Sequence, residues 1–363
     1  MSPMHPLRQV APGLEVFPHL KAALDGGDAL FVGTGVVPAT VEPRIALVVE
    51  TSGSSGTPKR VALSAEALLA SAAASASALG ASGQWVLALP THYIAGLNVL
   101  VRSIAADTEP VAVEGAHFTA RAFVAAAAGL THAHRFTSLV PAQLATLLDD
   151  PAATSVLASF RAVLVGGQAL AAAVRQRAEA AGIHVVRTYG SSETSGGCVY
   201  DGVPIGETAV RVVDGEVQIG GPTLAEGYLG DPALTAERFV DDDGMRWFRT
   251  ADAGTWHGGR LTIAGRLDDV IISGGVKVSL GAVERLLHEN GVPGAVVVKA
   301  QDEKWGEVPV AFVADDADTA PAIAAIETTL GPAARPRLRR GSGIPYLPSG
   351  KPDRVSLQKM ATE

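Results

Sequence analysis

The chain of 363 residues is 47% hydrophobic, carries a formal net charge of −8 and holds one cysteine, Cys198. These numbers exclude an intramolecular disulfide and zinc-type Cys/His spacing. They offer no strongly basic face for nucleic acid, and they leave material for more than one core. The opening stretch "MSPMHPLRQVAPGL" has prolines at 3, 6 and 12 and no apolar run of signal-peptide length. The Ala-rich tracts are broken by Gly, Ser and charge before they reach a spanning length, so a cytoplasmic protein without membrane insertion is expected.

In chain order, short β-branched runs appear at 45–50 ("IALVVE"), 85–89, 135–140, 161–167 and 183–190. Ala/Leu-rich stretches at 64–80, 119–129 and 169–181 read as helices between them, the first with Ser64 as N-cap. Alternating strand and helix predicts an α/β fold, a large N-terminal domain of mainly parallel sheets flanked by helices. After about Pro204 the pattern changes. Asp214-Gly215 sits between two alternating runs as a hairpin turn, and 244–266 reads as short antiparallel strands, which predicts a small β subdomain. From Leu267 onward a small α+β unit is expected, with strands at "DVIISGG", "AVVVKA" and "VPVAFV", helices near 279–290 and 321–330, and a terminal tail.

The first strand runs into "TSGSSGTPKR", residues 51–60. A Walker loop needs a second glycine and a Mg-binding hydroxyl where this chain has Pro58 and Arg60. Proline has no N–H to donate and arginine cannot ligate a cation, so that reading fails. The glycines, hydroxyls and Lys59 still suit an anion cradle, because backbone and hydroxyl donors can approach phosphate oxygens closely. A flexible Ser/Gly linker is the other reading of these residues alone.

Six segments together resemble the adenylate-forming superfamily of acyl-CoA synthetases, peptide-synthetase adenylation domains and beetle luciferases. They are "TSGSSGTPKRV", "VLVGGQAL" (163–170), "TYGSSETSG" (188–196), "RTADAGTW" (249–256), "GRLDDVIISGGVKVS" (265–279) and "YLPSGKPDR" (346–354), in the family's order. The resemblance implies activation of a carboxylic acid with ATP to an acyl-adenylate, release of pyrophosphate and transfer to a thiol, with ATP, Mg²⁺ and coenzyme A as cofactor and co-substrates. It also implies two domains, 1–266 binding ATP and acid and truncated relative to the family, and 267–363 as a mobile lid.

The same resemblance assigns residues. Lys351 would be the adenylation lysine, reaching the attacking carboxylate and the α-phosphate, where crowded negative charge is the main barrier. Without its motif it reads as a surface lysine. Glu193 would be the Mg²⁺ ligand and a second catalytic residue. ATP binding falls to Thr51, Ser52, Gly53, Ser54, Ser55, Gly56, Thr57 and Lys59, to Gly166, Gly167 and Gln168, and to Thr188, Tyr189, Gly190 and Ser192. Asp252 would accept both ribose hydroxyls and Arg266 would contact the nucleotide. Asp268 would be the hinge, and Gly274 and Gly275 would line the CoA channel, although a plain turn is the bland reading of that pair.

The segments "LPTHYIAGLNVLVRS" and "HAHRFTSLVPAQL", with the phosphate loop starting early in the chain, most resemble the short o-succinylbenzoate–CoA ligases of menaquinone biosynthesis. That acid carries a second carboxylate. Arg102, on an expected helix, is the candidate to bind it, and an arginine snorkelling from a helix end is an equal reading. His92 and Tyr93 both stand where one residue would gate the acid, and Ser191, Gly196 and Gly197 would form the pocket wall. Cys198 reads as a small buried hydrophobe. A ligase for another aryl or acyl acid, a carrier-loading adenylating enzyme and a non-catalytic nucleotide sensor stay open. So does the oligomeric state, a homodimer included.

Overall fold

The computed structural model describes residues 4–51, 59–115, 117–341, 343–347 and 352–362. Its contacts divide the chain into two compact units. One comprises Met1–Arg211, Gln218–Arg249 and Gly258–Leu261; the other comprises Val212–Val217, Thr250–His257 and Thr262–Glu363.

The first unit holds two sheets. In one, the strands His5–Val10, Ala29–Val32 and Ile45–Thr51 run parallel at the centre. Lys59–Ser64 then returns antiparallel to Ile45–Thr51, with Gly227–Tyr228 on its outer edge. Thr51 and Lys59 are thus paired with each other at the ends of two antiparallel strands. In the second sheet, Gln84–Leu87, Arg135–Leu139, Ala162–Val165 and Val185–Ser191 are parallel, and Gly196–Tyr200 pairs antiparallel to the last of them. The expected parallel α/β character is thus found in the sheet centres, with antiparallel strands at their edges except Val111–Ala112, which pairs parallel to Gln84–Leu87.

Local chemistry accounts for the helices. Ser64 caps Ala65–Leu79 by accepting from the Ala67 N–H at 3.3 Å, and Gly80 ends that helix at φ 70. Asp150 caps Pro151–Ala158 in the same way, with proline at the first helical position. One face of the second sheet buries Val86, Phe123, Leu139, Leu144, Leu147, Val163 and Val165 in a single cluster. The helix Ile94–Ala105 is buried at every position from Gly96 to Ser103, polar Asn98 and Arg102 included. A helix without a solvent stripe is a core helix, so its polar residues need internal partners.

In the second unit, Gly306–Val313 is the central strand of a five-stranded sheet, with Val296–Asp302 antiparallel to it at the edge. Alternation sorts Val296–Asp302 between two cores. Val297 packs with Val283, Leu287 and Ile326 of the helices Leu280–Glu289 and Ala320–Leu330. Val296, Val298 and Ala300 pack with Leu357 and Ala361 on the opposite face. Those two residues belong to a helix, Arg354–Thr362, where the sequence suggested only a tail. Its buried stripe is one i, i+4 pair, too little for periodicity to reveal. The Asp214-Gly215 turn is as expected, with φ 51 and 83. The stretch 244–266, expected as short strands, holds one long strand, Met245–His257, with Ala251 left-handed at φ 59, and one short strand paired to it, Arg260–Arg266. No helix among the described residues is long and apolar enough to cross a membrane.

Candidate functional site

The predicted residues of the first unit gather around the ends of neighbouring strands. Thr51 closes Ile45–Thr51 and pairs with Lys59 across the two antiparallel strands, its Oγ1 donating to the Lys59 carbonyl at 3.4 Å. Ser52, Gly53, Ser54, Ser55, Gly56 and Thr57 lie outside the described residues. The Lys59 ammonium stands 5.8 Å from the centroid of the Tyr228 ring.

Gly166, Gly167 and Gln168 follow the strand Ala162–Val165, and Gly167 and Gln168 are exposed. A side chain at Gly166 would meet the Thr188 hydroxyl at 2.4 Å. The approach of the two strands favours glycine there, with or without a ligand. Thr188, Tyr189, Gly190 and Ser191 end the strand Val185–Ser191, whose register against Gly196–Tyr200 shifts after Tyr189.

The chain then makes a tight turn through Ser192, Glu193 and Thr194. Thr194 Oγ1 accepts from the Ser191 N–H at 2.9 Å and donates to the Gly196 carbonyl at 2.8 Å. Ser195 follows in the left-handed region at φ 51, a conformation that costs a non-glycine residue about 1 kcal/mol or more. Besides its own N–H bond to Ser192 O, three bonds that involve side chains hold it. Its hydroxyl donates to Thr223 O, and its carbonyl accepts from Ser71 Oγ at 3.0 Å and from Asn98 Nδ2 at 2.8 Å. Gly196 must be glycine, because a Cβ would fall 1.9 Å from that same Asn98 nitrogen. Gly197 lies against Thr188 and Tyr200. Cys198 is fully buried, and burial pushes its thiol up to about 12.

This turn presents Glu193. Its Oε1 accepts the Tyr228 hydroxyl at 2.8 Å, and Oε2 receives no hydrogen bond from the described residues. Burial, reinforced by the neighbouring carboxylate, holds the Tyr228 hydroxyl far above its ordinary value. The proton therefore stays on tyrosine and Glu193 is the acceptor.

Four residues along the core helix from Asn98, Arg102 faces the same strand, Gly196–Tyr200. It is 8% exposed. Its guanidinium donates to Ser138 Oγ and to the Tyr200 hydroxyl at 3.4 Å each, and lies 5.0 Å over the Trp85 ring. Ser75 Oγ is 2.8 Å from the same tyrosine hydroxyl. Both bonds from Arg102 are long, its Nε is buried without a partner, and no carboxylate among the described residues pairs with it. A buried cation so weakly compensated is costly, and an arriving anion would relieve it. His92 and Tyr93 precede this helix with their rings 4.0 Å apart, and Tyr93 is its N-cap residue. His92 Nδ1 is buried without a partner, and burial lowers the pKa of the ring below its ordinary value.

In the second unit, Asp252 follows the left-handed Ala251. The Ala251 N–H donates to Glu216 Oε1 and the Asp252 N–H to Thr250 Oγ1, each at 3.0 Å, which fixes the direction of the aspartate. Arg266 forks onto Asp268 through two 2.7 Å bonds and reaches Asp252 at 3.4 Å. The proposed nucleotide arginine and the proposed hinge aspartate are thus one ion pair. Gly274 and Gly275 form the turn between Val270–Ser273 and Val276–Ser279, with the Gly274 N–H donating to the Trp305 carbonyl at 2.8 Å. Lys351 lies outside the described residues. Close by in sequence, Tyr346 and Pro352 are bridged, and Arg354 is anchored by hydrogen bonds from Nη2 to both carboxylate oxygens of Glu284, at 2.8 and 2.9 Å, and from Nη1 to Val297 O.

Sequence reasoning did not single out Tyr228, Asn98, Tyr200, Ser75 or Trp85. Each acts through a partner on another strand or helix, and nothing in the neighbouring residues marks it.

Residues 22–229 match the family model described as AMP-binding enzyme. A Mycobacterium tuberculosis protein described as "Probable 2-succinylbenzoate--CoA ligase" is 40% identical over 364 aligned positions, 94% of each chain. The 2-succinylbenzoate–CoA ligase of Salmonella typhimurium is 36% identical over 284 positions, 74% of this chain and 58% of that protein. Among solved structures, a variant of E. coli MenE with bound OSB-AMS is similar with a TM-score of 0.71 at 27% identity, covering 92% of this chain and 73% of that one.

Proposed function

The chain belongs to the AMP-binding enzyme family, and from that premise we propose that it is a ligase joining 2-succinylbenzoate to coenzyme A in menaquinone biosynthesis. A carboxylate oxygen of the acid attacks the α-phosphorus of ATP, the bond to the β-phosphate oxygen breaks, and pyrophosphate leaves. The thiol of coenzyme A then attacks the acyl carbon, giving the thioester, AMP and a proton. These co-substrates point to the cytoplasm as its compartment.

One observation carries the choice of acid. Arg102 is buried, lacks a carboxylate among the described residues and keeps an unpartnered Nε. An acid with a second carboxylate would supply the missing anion, whereas benzoate or a fatty acid would not. The Asn98-held turn at Ser195 and Gly196 packs against the same helix and suits the wall of that acid pocket. His92 and Tyr93 would flank its entrance.

For the nucleotide, the proposal gives Thr51 to Thr57 and Lys59 the phosphates, and gives Gly166, Gly167, Gln168, Thr188, Tyr189, Gly190 and Ser192 the base and sugar side. Asp252 would take the ribose hydroxyls, with Arg266 beside it, and Lys351 would meet the α-phosphate and the attacking carboxylate together. A divalent cation fits Glu193, whose Oε2 receives no hydrogen bond from the described residues. Mg²⁺ is commonly held by one carboxylate with phosphate oxygens and waters completing its shell. When bound, it would offset negative charge on the leaving pyrophosphate. Residues 267–363 would form the mobile lid, turning at Asp268 and bringing Gly274 and Gly275 to the CoA channel.

The test is a panel of acids offered with ATP, Mg²⁺ and coenzyme A, with thioester and AMP measured. Preference for 2-succinylbenzoate is expected. Preference for benzoate or a fatty acid would overturn the substrate, and absence of acid-dependent pyrophosphate exchange with any acid would overturn the reaction.

A further inference from the structure

One short segment grips Glu193 at both its side chain and its backbone. Tyr228 donates to Oε1 at 2.8 Å, and the Ala225 N–H donates to the Glu193 carbonyl at 2.8 Å. The same segment is stitched to the strand Lys59–Ser64. The Glu226 N–H donates to Ala62 O and the Leu229 N–H to Arg60 O, each at 2.8 Å. Between them, Gly227 and Tyr228 pair with Ala62 and Val61. Arg246 closes the other edge by donating to the carbonyls of Ala225 and Glu226 at 2.7 Å each. Tyr228 itself is 6% exposed, edge-on to Phe239 and 5.8 Å from Lys59.

A carboxylate ligand is effective when its free oxygen already points at the cation, and the groups that fix it govern affinity nearly as strongly as the ligand does. We infer that Tyr228 is a positioning residue that presents Glu193 to the divalent cation of the metal–nucleotide complex. The segment Ala225–Leu229 ties that carboxylate to Lys59 and the phosphate side of the site. This inference rests on the reading of Glu193 as the metal ligand. A buried tyrosine that merely fills space would also seek a partner for its hydroxyl. Here the partner is the one carboxylate of the 188–197 stretch, and it is bonded through only one of its oxygens.

The experiment uses Mn²⁺ and ATP on the full-length protein without any carboxylic acid, so that no turnover occurs. The dissociation constants of Mn²⁺–ATP, followed by the resonance signal of free Mn²⁺, and of ATP in excess chelator are compared for the wild type and Tyr228→Phe. Tyr228→Phe should weaken metal–ATP binding about tenfold and leave metal-free ATP binding within about twofold. In a Glu193→Gln background the same change should have almost no further effect. An unchanged ratio of the two constants in Tyr228→Phe, or a full tenfold loss on top of Glu193→Gln, overturns the inference. If the wild type binds ATP equally with and without Mn²⁺, the role of Glu193 falls as well. If the wild type depends on the metal and Tyr228→Phe keeps that dependence, only the role of Tyr228 falls.

Discussion

Arg102 and Arg266 carry the same guanidinium in opposite surroundings. Arg102 is 8% exposed and finds only two long bonds to neutral hydroxyls. Arg266 is 43% exposed along its side chain and is forked onto Asp268 at 2.7 Å. The exposed pair is nearly neutral in energy, since water and salt compete with it, so it fixes geometry more than it stabilises. The buried arginine disfavours folding unless something else needs its charge. An unpaired buried cation therefore reads as a binding group, and a paired exposed one as a tether. Lys351, a third case beside these two arginines, would serve only while the α-phosphorus is attacked.

The largest expected effect tests that third case. Lys351→Ala should slow acyl-adenylate formation about a thousandfold while changing ATP binding less than threefold. Equal losses in both would make Lys351 an ordinary nucleotide ligand. Next comes the buried arginine. Arg102→Met should raise the KM for 2-succinylbenzoate about a hundredfold, leave the KM for ATP alone, and hold or raise the thermal midpoint. A lowered midpoint with unchanged KM would make Arg102 a structural residue and erase the contrast with Arg266. Arg266→Gln should move the midpoint very little and raise the KM for ATP roughly tenfold, the scale of one charged hydrogen bond. A clear loss of stability would show that the tether holds the fold.

The smallest effect concerns His92. Burial lowers its titration point below the ordinary 6.5, so the folded state prefers the neutral ring. Above that value neither state binds the proton, and the ring contributes no pH dependence. As pH falls below about 6.5 the unfolded chain takes up the proton first, and stability drops until the folded ring also titrates. The thermal midpoint of the wild type relative to His92→Gln should therefore fall between pH 7 and 5. A rise over that interval would contradict the burial argument.

Much of this was legible in the residues. Ser64 announced the helix it caps, Asp214-Gly215 announced its turn, and the β-branched runs marked the central strands. These signals act over a few residues, where backbone geometry and side-chain chemistry meet directly. The helix Arg354–Thr362 escaped because two buried residues make no visible period. The antiparallel pairing of Ile45–Thr51 with Lys59–Ser64 was not foreseen, because a buried strand reads alike whether its neighbour runs parallel or antiparallel.

By itself, then, the sequence determined the order of its chemical segments, the alternation of strand and helix, and the residue types available to hold phosphate, ribose and acid. The tertiary structure alone decided that Tyr228 meets Glu193 across 35 residues and that Arg102 shares Tyr200 with Ser75 while no carboxylate pairs with it among the described residues. It also decided that Arg266 shares its charge with Asp268. Caps and periodicity are local and can be read along the chain. Which side chains finally face one another depends on strand order and register, and those are set only when the sheets assemble.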